Sequence, residues 1–189
     1  MAVSAEGCAA PFCRKLGGNG QAMMRYWCAK RRASGRAYRR AIDPLELPVA
    51  ILPLLQIHER RGDGRFVCRL AGTMIAQVYG QDPTGRTMNE MISGAALASR
   101  VAMFERVLET GRPIHYAAQL ALPGRAPRRV ERLLMPLADA AGELNAVLSL
   151  LTFPDIEPAA RGTAGLGQLG PVDEGSEASD AGLAACTAA

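Results

Sequence analysis

Residues Arg65–Gly85 read RFVCRLAGTMIAQVYGQDPTG, and the punctuation of this stretch decides the fold. Phe66, Cys68 and Leu70 alternate with Arg65, Val67 and Arg69, the period-two pattern of a half-buried strand. Gly72 breaks the strand, and Thr73 offers a hydroxyl to cap a short helix. Met74 with Val78, and Ile75 with Tyr79, lie four apart on one side of that helix. Gly80 ends it, because glycine enters the left-handed cap conformation at little cost, and Asp82–Gly85 forms a turn. The unit folds a helix back over a sheet.

Outward from this stretch the pattern continues. Upstream, Leu54–Arg60 reads as a strand joined to it by the Arg61–Gly64 turn. Asp43 caps and Pro44 opens a short helix that Ala50–Leu52 completes and Pro53 ends. Asp43 and Glu46, three apart, fit a cap and a first-turn acid; no partner acid or metal set nearby favours a catalytic pair. Asn19–Ser34 is an amphipathic helix with Met23, Met24, Trp27 and Cys28 as its apolar stripe. Its basic end continues through Arg36–Arg40, which reads as a solvated helix end or as a phosphate-binding patch.

Downstream, Arg86–Ile92 is a short helical stretch, and Ala95–Thr110 the longest helix. Its stripe is Leu97, Val101, Phe104 and Leu108, with Arg100, Glu105 and Glu109 toward the other side. Three strands follow, at Ile114–Leu122, Arg128–Ala138 and Asn145–Phe153. The last two are apolar on both alternating faces, so both faces of the sheet need a cover. Helices cover one, and the Trp27 helix, from this chain or a partner's, covers the other. The order predicts an α+β fold: a five-stranded antiparallel sheet with helices on one face, plus the N-terminal amphipathic helix.

Composition bounds the class. A chain of 189 residues with 49% hydrophobic residues can bury a real core. Arginine abundance beside only Lys15 and Lys30 reads as codon bias rather than nucleic-acid binding. No apolar run approaches the roughly 18–20 residues of a membrane span, and a secretory leader pattern is absent, so a cytoplasmic protein is expected. The scattered Cys8, Cys13, Cys28, Cys68 and Cys186 fit reduced thiols. Residues 1–18, rich in small side chains, read as flexible, 19–41 as helix plus basic segment, 42–153 as the folded domain, and 154–189 as a disordered acidic tail. The tail holds six acids against Arg161, leaving −5 there and +9 in residues 1–153.

The run RLAGTMIAQVYGQDPTGRTM, with AIDPLELPVAILP upstream and VERLLMPLADAAGELNAVLSLL downstream, resembles small stand-alone bacterial PAS-domain proteins over about Tyr26–Phe153. The resemblance implies a PAS-like sheet and a non-enzymatic sensor or adaptor that binds a small ligand, a protein partner or both, as a homodimer. A pocket between sheet and helices would be lined by Phe66, Cys68, Leu70, Met74, Val78, Met88, Met91, Phe104, Leu108, Tyr116, Leu133 and Met135. These residues equally suit a filled core. Arg69 and Arg132 are candidates to pair with an acidic headgroup, or face solvent. The dimer or partner surface would be Met23, Met24, Trp27 and Cys28 with Val147, Leu151 and Phe153.

The cofactor remains unknown. Haem-binding members take a histidine from the long helix or near it, and here that helix has none; His58 and His115 fall in strands. Flavin members use an Asn-Cys-Arg motif that Cys68, in VCRL, does not match. No catalytic acid–base set, metal-ligand spacing or phosphate loop is present, so no enzyme is expected. The alternative function is a nucleic-acid-associated regulator acting through residues 23–40.

Overall fold

The computed structural model describes residues 11–121, 128–154, 168–172 and 176–177. Five strands, β1 (Leu55–Arg60), β2 (Phe66–Ala71), β3 (Ile114–Ala121), β4 (Arg128–Ala138) and β5 (Leu144–Thr152), form an antiparallel sheet in the order β2-β1-β5-β4-β3. The expected strands are all present, with ends shifted by at most a residue or so. Helices α3 (Thr73–Tyr79), α4 (Met88–Met91) and α5 (Gly94–Thr110) pack on one face. On the opposite face lie α1 (Pro11–Arg14) and α2 (Gly18–Arg32).

Alternation along the strands sorts the interior into two layers. Leu55, Ile57, Leu133, Met135, Leu137, Ala146, Leu148 and Leu150 meet α2 through Met23, Met24, Trp27 and Cys28. Val130, Leu134, Val147 and Leu151 meet the other helices through Ile75, Val78, Phe104, Val107 and Leu108. So the Trp27 helix covers its own chain's sheet: Trp27 is 1% exposed, and its indole N–H donates to the Pro136 carbonyl at 2.9 Å. The residues expected to form a partner surface are therefore interior. Val147, Leu151 and Phe153 lie across the sheet from Trp27, since odd and even positions of β5 face opposite ways.

Three further expectations change. Phe12, Cys13 and Leu16, placed in a flexible N-terminus, are buried under the sheet with α2; residues 1–10 lie outside the described set. The stretch after Asp43 forms two separate 3₁₀ turns, Pro44–Glu46 and Leu52–Leu54, instead of one helix, because Pro48 interrupts the helical path and the chain is extended at Leu47. Asp43 does cap the first, accepting from the Leu45 N–H at 2.9 Å. In the tail, β6 (Gln168–Val172) and β7 (Ser176–Glu177) pair antiparallel with β3, satisfying backbone groups at that sheet edge. The other tail residues lie outside the described set.

Gly72 acts differently from the breaker and cap pair expected. Gly72 itself is the N-cap residue, Thr73 is already helical, and no side chain caps the helix. A Cβ at Gly72 would sit 2.3 Å from the Pro53 carbonyl oxygen. Backbone on backbone cannot be relieved by a rotamer change. The substitution Gly72→Ala should cost about 1–3 kcal/mol or more, read as a lowered urea midpoint with unchanged m-value. An unchanged midpoint would show that the 52–54 turn yields freely.

Candidate functional site

The face of the sheet under α3–α5 is unusually polar for a core. On β1, Gln56 and His58 point into this layer; on β5, Ser149; on β4, Arg132; on β3, Tyr116. Gln56 is opposite Ser149, and Arg132 is opposite Tyr116, so the polar side chains run across neighbouring strands. The helices add Tyr79 from α3 and Arg100 from α5. Arg132 is 1% exposed, Arg100 5% and His58 6%.

Their hydrogen bonding is incomplete. Arg132 donates from Nη2 to the Tyr79 hydroxyl at 2.9 Å. Its Nε and Nη1, the Nδ1 of His58, the hydroxyl of Tyr116 and Oγ of Ser149 are buried without a hydrogen-bond partner among the described residues. No carboxylate among the described residues forms an ion pair with Arg100 or Arg132. An unpaired buried guanidinium costs on the order of several kcal/mol. Two of them, close enough to perturb each other, cost more.

The electrostatics follow from this crowding. Burial, then the charges of Arg100 and Arg132, pulls the His58 imidazole from 6.5 to about 3, so it is neutral at physiological pH. Burial alone would raise the Tyr79 phenol; the charges of Arg132 and Arg100, with hydrogen bonds from both, outweigh it and hold the phenol below its ordinary value. Burial and then the Arg132 charge pull the Arg100 guanidinium below its ordinary value.

A cavity of about 30 Å³ opens beside this group, lined by Gln56, His58, Cys68, Tyr79, Arg100 and, toward its mouth, residues 83–92. Short-range order builds the mouth. Thr87 and Glu90 form a capping box at α4, with Glu90 Oε2 accepting from the Thr87 N–H at 2.7 Å. Asp82 accepts from the Thr84 N–H at 2.9 Å. The His58 ring meets Phe104 edge-on at 5.3 Å, and Phe104 meets Phe66 at the same distance.

Of the residues expected to line a pocket, Phe66, Val78, Met88, Phe104, Leu108 and Tyr116 are buried in this layer, with Met74 and Met91 partly buried against it. Cys68 lines the cavity, and burial pushes its thiol up to about 12, which suits a small core residue. Three do not belong. Leu133 and Met135 face α2, because they alternate with Arg132 and Leu134. Leu70 is 38% exposed, beyond the bulge where β1 and β2 slip by one residue at Ile57/His58. Arg69, the other candidate for an acidic headgroup, is exposed and pairs with Glu59 at 3.1 Å.

Two site residues were misread. Arg100, expected toward the outer side of its helix, belongs with Phe104, Val107 and Leu108 to the buried stripe. Their spacing of i, i+4, i+7 and i+8 was visible, but the charge argued against burial. His58, which the sequence places only in a strand, is buried, and its Nδ1 has no partner among the described residues. His115 is on the opposite side of the sheet, 3.8 Å from Glu131. Among the described residues no group of His, Cys, Asp and Glu has the makings of a metal site.

A PAS domain family model matches residues 18–152. The chain belongs to the PAS domain family. Similar solved structures include VqmA bound to DPO, with a TM-score of 0.42 and 19% identity over 56% of this chain and 52% of that one. Another is the Vibrio cholera VqmA–ligand–DNA complex, at 0.43 and 17% over 60% and 52%. A fungal LOV domain photoreceptor matches at 0.42 and 17% over 72% and 94%. The chain thus spans about half the length of the two VqmA chains. No curated protein matches it. In PAS terms, the cavity lies between the sheet and the α3–α5 layer.

The depressed His58 makes a pH prediction. The unfolded chain takes up a proton at His58 below pH 6.5, whereas the folded chain does so only near pH 3. The unfolded state binds more protons across that window, so stability falls as pH is lowered through it. The component attributable to His58 has a limiting slope of about 1.4 kcal/mol per pH unit. Urea midpoints of wild type and His58→Gln, compared between pH 7 and pH 5, should diverge in slope, with the variant flatter. Parallel curves would mean that His58 charges freely in the folded protein.

Proposed function

We propose that this PAS domain is a non-enzymatic sensor that binds a small molecule in the cavity beneath α5 and relays its occupancy to the N-terminal helix. One observation carries the reading: buried polar atoms on His58, Tyr116, Arg132 and Ser149 have no partners among the described residues, in the layer that holds the cavity. A core evolved only for packing would leave few such atoms, since each unmet group costs about 1–3 kcal/mol. A ligand that satisfies them recovers that energy.

The relay has a physical route. Strand β4 presents Arg132, bonded to the cavity-lining Tyr79, and Leu134 to the layer that holds the cavity, and Leu133, Met135 and Leu137 to α2. The Pro136 carbonyl of the same strand holds the Trp27 indole. A shift of β4 on binding therefore moves the seat of α2, a shift between two packings of that helix. Because the apolar stripe of α2 is used within the chain, a partner in signalling, or a second copy, would read its outer face and basic end.

Those basic residues are largely engaged at home. Lys30 pairs with Glu46 at 2.5 Å, Arg39 with Glu59 at 2.5 Å, Arg36 donates to the Gly142 carbonyl, and Arg31 lies over Trp27 at 5.8 Å. These contacts favour a structural role for the segment over nucleic-acid binding. No helix among the described residues is long and apolar enough to cross a membrane.

Native mass spectrometry of the protein isolated from the organism that encodes it should find a small molecule retained in the folded chain. Returning that molecule to stripped protein should change hydrogen exchange in Gly18–Arg32 as well as around the cavity. Chain that is empty under every growth condition tested would overturn the sensor reading. Retention without any change in α2 would overturn the relay.

A further inference from the structure

We infer that the cavity takes a small organic carboxylate, its carboxylate group held by Arg100 at the cavity wall and drawn by the charge of Arg132 behind Tyr79, and its apolar part directed to the mouth. This deepens the sensor reading and rests on it for the cavity as the ligand site. The inference starts from charge balance. Arg100 on α5 and Arg132 on β4 are both more than nine-tenths buried, and neither has an acidic partner among the described residues. The nearby acids are committed elsewhere: Asp82 to Thr84, Glu90 to Thr87 and Glu105 to Arg60. His58 is neutral and supplies no negative charge.

The donors suit a carboxylate. Arg100 lines the cavity beside Tyr79; one step behind, Arg132 spends Nη2 on Tyr79 and has Nε and Nη1 without a partner among the described residues, as has the Tyr116 hydroxyl on the neighbouring strand. Guanidinium groups bind carboxylates with paired, parallel hydrogen bonds, and they do so most strongly out of water. A cationic ligand would meet two like charges here, and a neutral one would leave them unbalanced. The rest of the lining sets the ligand's other end. Cys68, Pro83, Met88, Met91 and Ile92 form an apolar side to the cavity, with the exposed Arg86 at its rim to attract an anion. About 30 Å³ accommodates a carboxylate head, so a longer apolar part must displace side chains of the methionine-lined mouth.

The test uses the full chain with acetate, butyrate and benzoate, each against its amide, at matched ionic strength. Titration calorimetry and thermal melting should show binding by the acids and none by acetamide, butyramide or benzamide, with butyrate and benzoate tighter than acetate. Arg100→Gln and Arg132→Gln should each weaken binding about tenfold to a hundredfold, with cooperative melting retained. Should either variant fail to fold, Arg100→Lys, which keeps the charge and loses the fork, should weaken binding too, and the acid-against-amide comparison on wild type stands by itself. Amides that bind as tightly as acids, or acids unaffected by the arginine variants, would overturn the carboxylate assignment. So would inorganic phosphate binding where no acid does, or no binding by any acid. In each of those cases a molecule retained from the source organism still supports the sensor reading, so the two ideas fail separately.

Discussion

A sheet that is apolar on both faces must be covered on both, and this constraint governs the molecule. Strands β4 and β5 carry large aliphatic side chains at odd and even positions alike, so neither face tolerates water. The α3–α5 layer covers one face. The other is closed by α2, whose Met23, Met24, Trp27 and Cys28 are all essentially inaccessible. Trp27 fixes the register of that cover, because its single N–H has one good acceptor beneath it, the Pro136 carbonyl. The parallel bridge between Tyr38 and Ala138, with the Ala138 N–H donating to Ala37 at 2.8 Å, ties the chain leaving α2 to the end of the same strand. The N-terminal helix is thus a layer of this domain.

The two layers obey different rules, although they share a sheet. The α2 side is built almost wholly of apolar groups, and burial raises both its thiols, Cys28 to about 12. The α5 side mixes Phe104, Phe66 and Val107 with two arginines, a histidine, two tyrosines and a serine. Packing alone does not account for the second arrangement. Leaving a buried charge without a counter-ion costs several kcal/mol, and among the described residues neither arginine has a carboxylate partner. Tyr79, held between the two arginines, moderates their repulsion but leaves donor atoms of Arg132 unspent.

Much of this was legible in the sequence because it depends on local rules. The glycine stop at Gly80, the Asp43 cap, the period-two strands and the need to cover both sheet faces all follow from steric and solvation arguments over a few residues. The PAS family was legible as a resemblance carried by the RLAGT and GQDPTG runs, which the family match over residues 18–152 bears out. The site was legible only in its apolar half. Leu133 and Met135 were placed in the pocket because alternation shows which residues share a face without saying which layer that face meets. Leu70 was lost to a bulge, which depends on the partner strand. Arg100 and His58 were missed because a lone polar residue in an apolar stripe is normally exposed or satisfied, and only the three-dimensional assembly shows that several converge. The Leu169–Leu120 pairing of the tail was hidden for a related reason: a short strand at a sheet edge has too little pattern to stand out from a Gly- and Ala-rich background.

The polar layer beside the cavity and the α2 cover share the strands of one sheet, and β4 shows how directly its alternate residues serve the two. Successive side chains point to opposite faces, so Arg132 and Leu133 are on different layers yet share one peptide bond. The strand pairs along its length with β5 on one side and β3 on the other, so it cannot rotate to relieve a strain at Arg132. It can slide or tilt with its neighbours, and either motion carries Leu133, Met135 and the Pro136 carbonyl with it. The α2 helix then has to repack against a displaced surface or lose the Trp27 hydrogen bond. Interiors this dense respond by switching between packings rather than by yielding gradually. On the proposed sensor reading, a change of charge pairing on one face would reach the helix on the other by this route.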